Sequence, residues 1–119
     1  MIKKVEDMDM YQLSMEIGDT IWNIFNSWPY IEKDTLGKQM VRASDSIALN
    51  IAEGFGRYHF KELRNFCFYA RGSLLETKCC ITKAKARKLI TEQDFQTLLQ
   101  QLERVHMMLN KFIKSIGSS

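Results

Sequence analysis

Histidines and cysteines are the side chains best suited to bind a metal or act as nucleophiles near neutral pH, and this chain has two of the first and three of the second. His106 follows Glu103 at the Glu-x-x-His spacing, which on a helix sets a carboxylate and an imidazole one turn apart on one face. A di-iron carboxylate bundle needs two such elements and two more glutamates on facing helices. The other histidine, His59, has Gly56 three residues before it, so the second element is missing. Cys67, Cys79 and Cys80 lack the spacing of a tetrahedral zinc site. Gly54-Phe55-Gly56 lacks the third glycine of a dinucleotide loop, and it ends a helical pattern where that loop should follow a strand. No Ser-His-acid or Cys-His set can be assembled from two histidines at unrelated positions. These residues predict no catalytic set, no metal site and no cofactor.

The basic residues are more informative. The net charge is +3. Residues 1–34 carry three Lys against seven Asp/Glu, residues 35–88 carry eleven Lys/Arg against four Asp/Glu, and residues 89–119 balance at three of each. A basic middle segment suits an anionic partner such as RNA or DNA, although a solvated helix face would read the same way. Candidate phosphate contacts are Lys61 and Arg64, and the group Lys78, Lys83, Lys85, Arg87 and Lys88.

Four amphipathic helices must position these groups. Met10, Leu13, Ile17, Ile21, Ile24 and Trp28 recur at steps of three and four, and Trp28-Pro29 ends that pattern. Asp34 is the expected N-cap of a second helix with the stripe Leu36, Met40, Ala43, Ile47, Ile51 and Phe55, closed by Gly54 and Gly56. A third helix is predicted over 60–88, with Leu63, Cys67, Ala70, Leu74, Thr77, Ile81 and Ala84 as a heptad seam. Gly72 interrupts it at a cost of about 1 kcal/mol, which calls for a packing reason. Thr91 should cap the fourth helix, whose heptad is Phe95, Leu98, Leu102, Val105, Leu109, Phe112 and Ile116. Short connections predict an all-α, antiparallel up-down-up-down four-helix bundle, with residues 1–119 as one domain. No apolar run reaches the length of a membrane span and no signal peptide is expected. Three cysteines, two of them adjacent, suit reduced thiols in a cytoplasmic protein.

Two helices carry more apolar surface than one core stripe requires. Phe68, Leu75, Cys79 and Ala86 lie nearly opposite the third helix's seam, with Gly72 beside them; Val41, Ala48, Leu49 and Ala52 widen the second helix's arc. Val41, Leu49, Phe68, Leu75 and Cys79 are therefore candidates for an oligomer interface. The second helix also has a polar stripe, Arg42, Ser46, Asn50, Glu53 and Arg57, and Arg71, Ser73 and Glu76 supply similar groups on the third. That stripe reads either as a hydrogen-bonded network fixing helix register or as a ligand or partner site.

Arg42-Ala43-Ser44-Asp45-Ser46-Ile47 followed by Asn50-Ile51-Ala52-Glu53-Gly54-Phe55-Gly56-Arg57 resembles the signature of the four-helix-bundle proteins encoded in intervening sequences of bacterial 23S ribosomal RNA genes. Phe66, Tyr69-Ala70-Arg71-Gly72-Ser73-Leu74 and Glu76 match a second block, and Trp28-Pro29 with Gln39 match the approach to the first. The resemblance spans about residues 10–115. It implies a four-helix bundle that assembles as a ring, a homopentamer. A related branch, the accessory protein of diversity-generating retroelements, forms a basic pentameric barrel that binds a reverse transcriptase and nucleic acid. Carried over, Arg42, Ser46, Asn50, Glu53, Gly54, Gly56, Arg57, Arg71, Gly72, Ser73 and Glu76 are the matching positions. The expectation is a non-enzymatic oligomer that binds RNA, DNA or a nucleic-acid enzyme; the alternative is a protein-binding adaptor with no nucleic-acid role.

Overall fold

The computed structural model describes residues 4–117. Among them a 3-10 turn, Val5–Asp7, precedes four long helices, and there is no strand. Helix α1 is Asp9–Asn26. Helix α2 starts as a single turn, Tyr30–Glu32, passes through a π-helical segment, Lys33–Gly37, and continues as Lys38–Phe55. Helices α3 and α4 are Phe60–Ala86 and Glu92–Ser115. The bundle measures 49 × 23 × 20 Å.

Each helix packs on its two neighbours in the order α1, α2, α3, α4 and back to α1. Pairs of touching residues show that neighbours run antiparallel. Gly18 faces Asp45 while Gly37 meets Phe25. Arg64 near the start of α3 reaches the carbonyl of Ile116, whereas Lys85 near its end pairs with Glu92. The seams read from the sequence form one core. Ile17, Ile21, Met40, Ile47, Ile51, Leu74, Ile81, Leu98, Leu102, Val105 and Leu109 are fully buried, and Leu13, Ile24, Phe55, Leu63 and Phe112 pack on its edges. Three hydroxyls are buried with them, and each donates within its own helix: Ser14 to Met10, Ser44 to Val41 and Thr77 to Ser73. A helix carbonyl is the nearest acceptor when water is excluded.

Three local expectations are corrected. Asp34 does not start α2. The helix begins directly after Pro29, whose φ of −63° suits a helix start and whose missing N–H would have no helical partner there. Asp34 instead lies in the π segment and pairs with Lys38 at 2.7 Å. Gly54 does not close α2: it is buried inside the helix, where α3 crosses closely. Gly56 does occupy the end, but in the right-handed region at φ −82°. The third helix stops two residues earlier than expected, at Ala86. Lys88 then takes the left-handed conformation at φ 61°, while the N–H groups of Lys88 and Leu89 bond to the carbonyls of Lys85 and Ala84. That is a Schellman closure with lysine where glycine is usual. The Thr91 cap is as read, accepting from the Asp94 N–H at 3.0 Å.

Trp28 ties the two ends of the bundle's first half to the α3–α4 connection. It is buried, and its indole Nε1 donates to the Leu89 carbonyl at 2.9 Å.

Candidate interaction surfaces

The polar stripe of α2 lies at the surface beside α3. Arg42, Glu53 and Arg57 are exposed, and Ser46 and Asn50 are half-buried. Its bonds stay local. Ser46 donates to the Arg42 carbonyl at 2.7 Å and Asn50 to the Ser46 carbonyl at 2.8 Å. Arg57 pairs with Glu53 at 2.9 Å and Glu62 at 3.6 Å, and its guanidinium lies 4.8 Å from the Phe66 ring centre. No bond joins Arg42, Ser46 or Asn50 to Ser73 or Glu76 among the described residues. A register-fixing network between α2 and α3 is thus not what these groups form, because short polar side chains reach their own helix's carbonyls first.

Arg71 turns away from this stripe altogether. It lies on the α4 side of α3, donates through Nη1 to Asn110 Oδ1 at 2.8 Å, and covers the Phe68 ring at 5.0 Å from its centre. Beside it an open groove of about 570 Å³ runs between α3 and α4, lined by Lys78, Glu103, His106, Met107, Asn110, Lys111 and Lys114. The His106 imidazole is held below its ordinary pKa, first by burial and then by the Lys78 and Arg71 cations. His106 is half-buried at the groove and makes no hydrogen bond among the described residues. Glu103 lines the same groove, but no cluster of three or more His, Cys, Asp or Glu able to hold a metal exists among the described residues.

The basic candidates do not form one patch. Lys61 and Arg64 lie at one end of α3, and Lys83, Lys85, Arg87 and Lys88 at the other, about 30–40 Å away at 1.5 Å per residue. Arg64 is engaged by its own chain: its Nη2 donates to the Ile116 carbonyl at 2.9 Å, serving the open C-terminus of α4. Lys85 is also engaged, with Glu92 at 3.0 Å and over the Phe95 ring at 4.4 Å. Glu92 is held below the usual carboxylate range by its bond from Gln96 and then by Lys85. Lys61, Lys83, Arg87 and Lys88 are exposed, and Lys78 is half-buried in the groove. Reading the chain by segments missed Asn110, Lys111 and Lys114, because the segment holding them is neutral in sum.

Of the interface candidates, Leu49 is 66% exposed, Leu75 48% and Phe68 39%, and Cys79 is exposed too. Val41 is half-buried and packs against the chain's own core. A Cβ built on Gly72 meets nothing within 4 Å, so the packing reason expected for this glycine is absent from the chain's own fold. The three cysteines are free; burial raises the Cys67 thiol to about 11 and also raises Cys80.

A family model described as 23S rRNA-intervening sequence protein matches residues 6–111. No curated protein matches the chain. Among solved structures, the chain is similar to a protein of unknown function from the S23 ribosomal protein family of Bacteroides thetaiotaomicron. The TM-score is 0.80 at 19% identity, covering 89% of this chain and 99% of that one. Likeness at that identity establishes the four-helix fold.

Proposed function

Because the chain belongs to the 23S rRNA-intervening sequence protein family, we propose that it is a non-enzymatic, self-assembling helical bundle that binds nucleic acid. The observation that carries the nucleic-acid reading is a surplus of surface cations without carboxylate partners. The ion pairs engage Lys38, Arg57 and Lys85, whereas Lys61, Arg71, Lys78, Lys83, Arg87 and Lys88 form none among the described residues. A polyanion can release its condensed counterions by replacing them with such groups. Its place of action in this reading is the bacterial cytoplasm, which the free thiols support. No helix among the described residues is long and apolar enough to cross a membrane.

The test is fluorescence anisotropy with a labelled, structured RNA and with duplex DNA of equal length. Affinity should fall by about 10³-fold or more between 50 and 200 mM salt if six or so phosphates are contacted. Binding that is undetectable at low salt, or insensitive to salt, leaves the protein-binding adaptor as the better reading.

Self-assembly rests on a separate observation. Leu49, Phe68 and Leu75 are large apolar side chains on the solvent side of α2 and α3, with Gly72 open beside them. Such a face suits a second copy of the chain, and the family resemblance favours a ring of five. Leu75→Glu should put a charge into that contact and dissociate the assembly while leaving helix content unchanged. Multi-angle light scattering with circular dichroism checks both halves of this expectation. A wild-type chain that is monomeric at micromolar concentration overturns it.

A further inference from the structure

We propose that the groove between α3 and α4 is the phosphate-binding site for the nucleic-acid backbone, with His106 as a proton-sensitive member of it. This rests on the nucleic-acid reading above and gives it a location.

Arg71 is pre-set for the task. Asn110 takes one of its donors at 2.8 Å and the Phe68 ring supports the guanidinium plane, which leaves its other donors available in a fixed direction. A guanidinium held in this way loses little freedom when it binds a phosphate oxygen. Lys78 lies two turns further along the same face of α3 and lines the groove, and both cations lie close enough to His106 to disfavour its protonation. Neither Arg71 nor Lys78 is paired with a carboxylate. From α4 the groove receives Lys111, Lys114 and a single carboxylate, Glu103. Arg71 beside the groove and Lys78 and Lys111 in its lining thus bring like charges together with one carboxylate among them, an arrangement that an anion relieves. A bridging phosphate supplies that anion repeatedly along a strand.

His106 makes the site respond to pH. In the free protein burial, and after it the Lys78 and Arg71 cations, hold the imidazole below its ordinary pKa. A bound phosphate offsets those cations and favours the imidazolium. Binding should then strengthen as pH falls from 7.5 to 5.5, with Arg71 and Lys78 on α3 and Glu103, Lys111 and Lys114 on α4 as the charged groups around the imidazole.

The experiment is anisotropy of a fluorescein-labelled 20-nucleotide RNA with the full chain at pH 7.5 and pH 5.5, over a salt series. The variants are Lys78→Glu with Lys111→Glu, His106→Gln, and Lys83→Glu with Arg87→Glu as a charge-matched control at the end of α3. Circular dichroism and light scattering establish that each variant keeps its helix content and assembly. The groove pair should weaken binding at least tenfold and lower the salt slope by about two, while the control changes affinity less than threefold. His106→Gln should bind like wild type at pH 7.5 and lose the gain at pH 5.5. Equal losses in the groove pair and the control overturn the groove while leaving nucleic-acid binding in place. No wild-type binding overturns both readings. A groove pair that binds RNA normally but no longer self-associates assigns the groove to a neighbouring subunit and overturns the proposal.

Discussion

Replacing Trp28 with alanine should cost about 3–5 kcal/mol of folding stability, a large share of the 5–15 kcal/mol that holds a domain of this size. The indole is buried at the junction between α1 and α2, and its Nε1–H reaches across the bundle to the Leu89 carbonyl. Leu89 follows the Lys88 closure of α3, so one side chain anchors both connections at that end of the molecule. Alanine removes the ring and leaves a cavity, and it also leaves a carbonyl without its donor. Trp28→Phe separates these effects: most of the apolar volume stays, and the loss should fall to about 1 kcal/mol, the cost of leaving a part-buried acceptor without its donor. Urea unfolding followed by circular dichroism checks both, at one fixed protein concentration because assembly would add a concentration-dependent term. A Trp28→Ala loss below about 1 kcal/mol would show that the junction is held elsewhere.

Sequence periodicity exposed the core because burial in a bundle is set by angle around each helix, and angle follows from residue number. Every seam position read on α3 from Cys67 to Ala84 is buried. Periodicity could not say which flank of a helix a polar residue takes once neighbours are placed. Arg71 sits close in sequence to Ser73 and Glu76, yet it turns to Asn110 on α4 rather than to the α2 stripe. The groove was hidden for a related reason. Lys111 and Lys114 belong to a neutral segment, but the helix separates them from most of its acids and turns them to the same groove as Lys78. Asp34 was misread because capping preference is a local signal; the constraint that Pro29 places on the next residue starts the helix earlier. Surplus apolar residues on α2 were only partly a surface feature, since Ala48 is buried and Val41 packs on the core.

The glycines give the second large effect, and its sign changes with position. Helix propensity alone favours alanine over glycine by about 1 kcal/mol at any helix interior site. Packing overrides this at two of them. A Cβ on Gly37 would lie 2.8 Å from the Phe25 ring and 2.9 Å from the Glu32 carbonyl, and the second is backbone that cannot swing aside. A Cβ on Gly54 would meet the Phe66 Cβ at 3.0 Å and the Leu63 carbonyl at 3.3 Å, at the α2–α3 crossing. Gly37→Ala and Gly54→Ala should each destabilise the bundle by about 1–3 kcal/mol, the usual cost of overpacking. Gly72→Ala should do the opposite and stabilise an isolated subunit by about 0.5–1 kcal/mol, because its Cβ would enter open space. Thermal and urea unfolding at low concentration read the subunit term, and light scattering at high concentration reads assembly. If Gly72→Ala raises subunit stability yet weakens association, the glycine is kept for a close approach by a neighbouring chain. If it leaves association untouched, the contact runs through Leu75 and Phe68 without needing the open backbone between them.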